Sequence, residues 1–89
     1  MEHGTDVTIV NKYGLHARPA AEFVKLANRF AADVFIRKDE VEVSGKSIMG
    51  VMMLAAECGS SVHIRARGDD AQSAVEALAA LVAGGFGEG

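Results

Sequence analysis

Apolar and polar positions alternate along this chain with periods that mark seven segments. Val7-Thr8-Ile9-Val10 is a short β-branched run that predicts a strand. Beyond the loop from Asn11 to Leu15, residues Ala20, Phe23, Val24, Ala27 and Phe30 recur at three- and four-residue spacing. That period places them on one face of a helix, with Glu22, Lys25, Asn28 and Arg29 opposite. Asp33–Arg37 and Val41–Ser44 predict two strands, joined by the polar connection Lys38-Asp39-Glu40, which is short enough for a hairpin. A second helix is expected from Ser47, whose hydroxyl can accept an unpaired N–H, to a point before Gly59. Its core side is read as Val51, Leu54 and Ala55, leaving Ile48, Met49 and Met52 partly exposed. Val62, Ile64 and Ala66 then alternate with His63, Arg65 and Arg67 in a strand with one buried face. The last helix opens at Gly68-Asp69-Asp70, where Asp69 and Gln72 have capping-box spacing. Ala71, Ala74, Val75, Leu78, Leu81 and Val82 form its buried stripe, and Gly84-Gly85 ends it.

The order β-α-β-β-α-β-α predicts an α+β fold, an antiparallel sheet with helices on one face. A single domain over residues 1–89 is expected, with a folded core of about 6–83 and a mobile tail at 84–89 that has little to hold it.

Composition narrows the function. With 49% apolar residues the 89-residue chain needs no staple, and its one cysteine, Cys58, permits no intramolecular disulfide. A reducing, cytoplasmic setting suits it. Residues 1–6 lack the regions of a signal peptide, and the apolar run Ile48–Ala56 is far short of the ~20 residues a bilayer span needs. A net charge of −3 argues against a nucleic-acid partner, and nothing points to a membrane partner. No pair among the histidines and Cys58 has metal-ligand spacing, so neither metal nor cofactor is expected.

Chemistry concentrates in Gly14-Leu15-His16-Ala17-Arg18-Pro19-Ala20. His16 falls at the helix entrance, Arg18 follows two residues on, and Pro19 sits in the first turn, where a missing N–H costs little. Unpaired N–H groups, here those of Ala17 and Arg18, and the positive end of the helix dipole bind anions. A histidine that only caps the helix is the plain alternative. A nucleophilic imidazole beside an arginine fork and free N–H groups instead suits a covalent phosphoryl intermediate. Lys46-Ser47 resembles the end of a nucleotide-binding loop, but Glu40 stands where that motif needs its first glycine. Ser47 has a sufficient role as a helix cap; phosphorylation there would add about −1.5 to −2 charge at a helix start. Ile48, Met49 and Met52 supply flexible apolar side chains suited to fitting several partners.

These two motifs, Gly14–Ala20 and Lys46-Ser47-Ile48-Met49-Gly50-Val51-Met52 with Leu54, make the chain resemble the HPr family, the histidine phosphocarriers of the bacterial phosphoenolpyruvate-dependent phosphotransferase system. The resemblance runs from about Val7 to Val82. It implies an open-faced β-sandwich, a four-stranded antiparallel sheet covered on one side by three helices. It implies a carrier rather than an independent catalyst. His16 would take a phosphoryl group on Nδ1 from phosphorylated enzyme I and pass it to a histidine of sugar- or nitrogen-type IIA domains, with Arg18 stabilising the phosphate. Ser47 would be the target of an HPr kinase/phosphorylase, and Ile48, Met49 and Met52 part of a docking surface on a monomer. Tyr13 stands where the family often has a small polar residue, and Asp39-Glu40 replaces a common Asn-Gly turn. A ferredoxin-like regulatory domain would leave the His-Ala-Arg-Pro cluster unexplained. An acylphosphatase-like hydrolase would need a glycine-rich cradle that is missing.

Overall fold

Strands and helices follow one another as the side-chain pattern predicts, with boundaries that shift at three places around the site. The computed structural model describes residues 1–88. The elements are β1 (Glu2–Thr8), α1 (Ala17–Ala27), β2 (Asp33–Lys38), β3 (Val41–Ser44), α2 (Ile48–Met53), β4 (Ser61–Arg67), α3 (Ala71–Ala83) and a short 3-10 turn, Gly85–Gly87. The strands form one antiparallel sheet in the order β1-β4-β2-β3. Val34, Ile36, Val62, Ile64 and Ala66 turn to one face, where they are buried with Phe23, Val51 and Leu78 of the helices. The opposite face is charged. Arg65 lies 4.2 Å from the Phe35 ring centre and donates two hydrogen bonds to Glu42 at 2.8 and 3.2 Å. That pairing holds the Glu42 carboxyl below its ordinary range and raises the Arg65 guanidinium. The fold is thus the expected open-faced sandwich.

Gly45 shows how closely the chain passes over the core. A Cβ there would lie 2.5 Å from Val34 Cγ1 and 3.1 Å from Phe23 Cε1. The β2–β3 hairpin turns on Asp39-Glu40 alone, with Lys38 already in the ladder opposite Val41. Asp39 takes the left-handed conformation (φ 54°), which a short polar side chain tolerates.

The first difference from the sequence pattern is β1. It covers Glu2–Thr8 instead of Val7–Val10, so that His3, outside the expected folded core of about 6–83, lies in the ladder opposite Ala66. Its side chains alternate between partly buried and exposed, so the apolar signal is weak and backbone pairing with β4 makes the strand. Ile9 is fully buried beyond the ladder's end, with Ile9 N donating to Ser60 O at 2.8 Å.

The second difference is on the core side of α2, which is capped as expected and ends before Gly59, at Met53. Ser47 Oγ accepts from Gly50 N at 3.0 Å. Leu54 closes the helix, and Ala55 turns left-handed (φ 51°) and exposed, so Ala56 takes the buried position expected of Ala55.

The third difference lies at α3 and beyond. Its N-cap is Asp70, without a side-chain cap, and Gln72 bonds Glu76 at 3.0 Å, so the Asp69–Gln72 capping box does not form. The Asp70 carboxylate instead accepts from Ala31 N and Ala32 N, each at 2.8 Å, clamping the loop after α1. Lys46 Nζ holds the same loop through Phe30 O at 2.8 Å. After α3 the chain folds back, and Phe86, expected in a loose tail, is 6% exposed. Its ring finds apolar neighbours that local composition does not reveal; Gly89, the end of that expected tail, lies outside the described residues.

The Asp70 carboxyl is held below its ordinary range, first by the Ala31 N–H and then by that of Ala32. A depressed carboxyl stabilises the fold above the unfolded value, about 3.9, and loses that contribution as pH falls through the folded one. Thermal melts should therefore be flat from neutral pH down to about 5 and fall below about 4. Asp70→Asn should lower Tm at neutral pH and flatten the acid limb in part, since Glu42 still contributes. An equal loss of Tm at every pH would contradict this role.

Candidate functional site

The loop between β1 and α1 is built on Asn11, which is 3% exposed. Its carbonyl accepts from Gly14 N at 3.2 Å, and its Nδ2 donates to Gly14 O at 2.8 Å. Leu15 N then donates to Ala56 O at 2.9 Å, tying this loop to the segment after α2. The chain enters α1 through His16, an extended N-cap (φ −73°, ψ −173°) whose carbonyl accepts from Ala20 N at 3.0 Å. No side chain caps the helix. Pro19 has no N–H and that of Ala20 is used, so the first turn presents the N–H groups of Ala17 and Arg18.

The His16 side chain is 41% exposed and opens on a cleft of about 510 Å³ lined by Lys12, Tyr13, Arg18, Gly87 and Glu88. Tyr13 stands edge-on to the imidazole, with ring centres 6.1 Å apart. Arg18 lines the same cleft, but its Nε pairs with Glu22 Oε1 at 3.6 Å and the side chain is largely exposed. An exposed i,i+4 pair of this kind contributes little, so the guanidinium is free to turn to a phosphate. The positive groups of the cleft are Lys12, Arg18 and the helix end; Glu88 is the opposing charge.

Glu88 is the residue that sequence reading did not find. Its Oε2 lies 3.3 Å from His16 Nε2, and its Oε1 accepts from Asn11 Nδ2 at 3.1 Å. Nothing in the glycine-rich stretch around it signals a site. Asn11, also missed, carried a readable signal: an asparagine three residues before a glycine commonly closes a turn.

Met52 shares a second groove of about 280 Å³ with Tyr13, Leu15 and His16, so α2 borders the histidine. Ile48, Met49 and Met52 are exposed as expected, and Met53, not foreseen, is 75% exposed beside them. Ser47 lines neither groove; it sits at the far end of α2, under the same apolar surface. Among the described residues no cluster of His, Cys, Asp or Glu is suited to a metal ion, and no helix is long and apolar enough to cross a membrane.

Residues 4–84 match the family model for the PTS HPr component phosphorylation site. The chain is 51% identical over 84 residues to the phosphocarrier protein HPr of Cupriavidus necator, covering 94% of each chain. It is 56% identical over 71 residues to the HPr-like protein Crh of Bacillus subtilis, covering 80% of this chain and 84% of that one. Its structure superposes on HPr-C-His from Thermoanaerobacter tengcongensis with a TM-score of 0.94, at 44% identity and over 98% of each chain.

Proposed function

Because the chain belongs to the HPr family, the phosphocarriers of the phosphotransferase system, we propose that His16 is its phosphoryl carrier. The observation that carries this reading is the uncapped start of α1, where His16 stands beside the N–H groups of Ala17 and Arg18. A tetrahedral dianion on Nδ1 meets two backbone donors, the helix dipole and an arginine, itself largely exposed, that pairs loosely with the half-buried Glu22 carboxylate. In the acceptor step the Nδ1 lone pair attacks the phosphorus of a phosphohistidine on enzyme I, itself charged from phosphoenolpyruvate. The donor's N–P bond breaks, and its electrons return to the donor ring. Onward transfer to a IIA histidine is the same exchange in the other direction. The protein supplies position and charge and leaves the other half of each active site to its partner.

Docking falls to the apolar surface of Ile48, Met49 and Met52, which the shared groove makes continuous with His16. We read the protein as a cytoplasmic monomer in this role. The direct test is incubation with enzyme I and phosphoenolpyruvate, which should add one acid-labile, base-stable phosphate per chain. Failure to label would remove the carrier reading.

Ser47 is read as a regulatory site for an HPr kinase/phosphorylase. Its hydroxyl caps α2, and a phosphate there would keep company with the helix start while placing charge under the docking methionines. Ser47→Asp should therefore fold normally and slow transfer from enzyme I by about tenfold, the scale of one unfavourable charge at an interface. Unchanged transfer kinetics would detach Ser47 from regulation.

A further inference from the structure

We propose that Glu88 is a positioning residue for His16: its carboxylate holds the imidazole with the proton on Nε2 and so leaves Nδ1 to carry the phosphoryl group. This inference rests on the carrier reading of His16 and adds a residue to it. Glu88 Oε2 lies 3.3 Å from Nε2, and the negative charge of a carboxylate favours a proton over a lone pair on the ring nitrogen that faces it. In a neutral imidazole a proton on Nε2 means a lone pair on Nδ1. The other carboxylate oxygen is held by Asn11 Nδ2 at 3.1 Å, and Asn11 is buried with the same nitrogen bonded to Gly14 O at 2.8 Å. A buried amide thus fixes the carboxylate, and the carboxylate fixes the ring. Carboxylates that orient histidines elsewhere act in this manner, selecting tautomer and rotation without touching the transferred group.

The chain is shaped to deliver this contact. Three successive residues, Gly85, Phe86 and Gly87, take positive φ values of 65°, 57° and 73°, which reverse the backbone after α3. Phenylalanine rarely adopts that conformation, and here its buried ring holds it there. Gly87 N donates to Gly84 O at 3.3 Å and Glu88 N to Gly85 O at 3.0 Å, closing the turn that presents Glu88. The side chain of Glu88 is only 23% exposed in consequence.

The arrangement has two consequences for transfer. When Nδ1 forms its bond to phosphorus, as the donor's N–P bond breaks, the Nε2 proton stays in place and the ring takes on positive charge. Glu88 faces that charge. The carboxylate also occupies the Nε2 side of the ring, so an approaching phosphoryl donor meets Nδ1 only.

The test is Glu88→Gln in the full chain, labelled with 15N in the histidine rings. Spectra at pH 8.5, above the ordinary histidine range, report which nitrogen bears the proton. The native protein should show the Nε2–H form of His16 in excess. Glu88→Gln should shift the ratio of the two forms about fivefold toward Nδ1–H, the scale of one partly exposed charged contact. Glu88→Asp, which keeps the charge on a shorter arm, should recover part of the shift. His63 serves as an internal control and should not change. The rate of phosphoryl transfer from enzyme I should fall in Glu88→Gln by a similar factor. An unchanged tautomer ratio at His16 would overturn the positioning role while leaving the carrier reading intact. A shifted ratio in a chain that enzyme I never labels would overturn the carrier reading and keep the contact.

Discussion

Replacing His16 by alanine is expected to abolish phosphorylation by enzyme I and phosphoenolpyruvate, not merely to slow it. The substitution removes the atom proposed to form the covalent bond, so the loss should be on the order of a thousandfold or more, as for other attacking groups. The other histidines cannot substitute. His3 lies in β1, opposite Ala66, and His63 projects from the charged face of the sheet with its Nδ1 2.8 Å from Asp6 Oδ1. Neither stands at a helix start or beside Arg18.

The same substitution should leave the fold in place. His16 makes no side-chain capping bond to α1, and its ring is part-exposed. Surface changes of this kind stay within about 0.5 kcal/mol. A melt of the variant should therefore match that of the parent to within about 4 °C, which separates loss of the carrier from loss of the structure. Acid-labile label retained by a folded His16→Ala protein would place the phosphoryl group elsewhere and overturn the assignment.

What could be read from the chain alone follows how locally each feature is determined. The buried stripe of α1, the alternation in β4 and the Ser47 cap are local patterns, and the structure places them where the pattern does. His16 and Arg18 were legible for the same reason: a helix start is written in the residues that form it. β1 was extended past its apolar run by pairing with β4, and such pairing leaves no period in an edge strand whose side chains are only half covered. The sequence offered Asp69 as the capping residue, yet it is Asp70 that stands at the N-cap, and its carboxylate is used 38 and 39 residues away. Glu88 is the extreme case, since its bond to Asn11 spans 77 residues and exists only because α3 ends beside the β1–α1 loop. Residues joined by topology alone leave no trace in spacing. The histidine at the helix start was legible and the carboxylate that faces it was not.

The largest expected effect on stability comes from a methyl group at Gly14. This residue has φ +67°, and a Cβ built on it would fall 2.2 Å from Ala56 O and 2.9 Å from Glu57 Cα. Both are backbone atoms, so no rotamer change relieves the overlap. The left-handed conformation costs an alanine about 1 kcal/mol. Forcing the two loops apart adds about 2 kcal/mol and stretches the Leu15 N to Ala56 O bond, now 2.9 Å. Gly14→Ala should therefore cost about 3 kcal/mol and lower Tm by about 12 °C or more in a domain of this size. Because Gly14 also accepts from Asn11 Nδ2, the same shift should disturb the seat of Glu88 and reduce labelling of His16 even well below the melting range. Gly14→Asn separates the two causes. Asparagine tolerates positive φ but carries the same Cβ, so it should melt within about 3 °C of the alanine variant if the steric term dominates. A Tm for Gly14→Ala within about 2 °C of the parent would show that the segment after α2 yields freely, and would remove the steric role of Gly14 between the two loops.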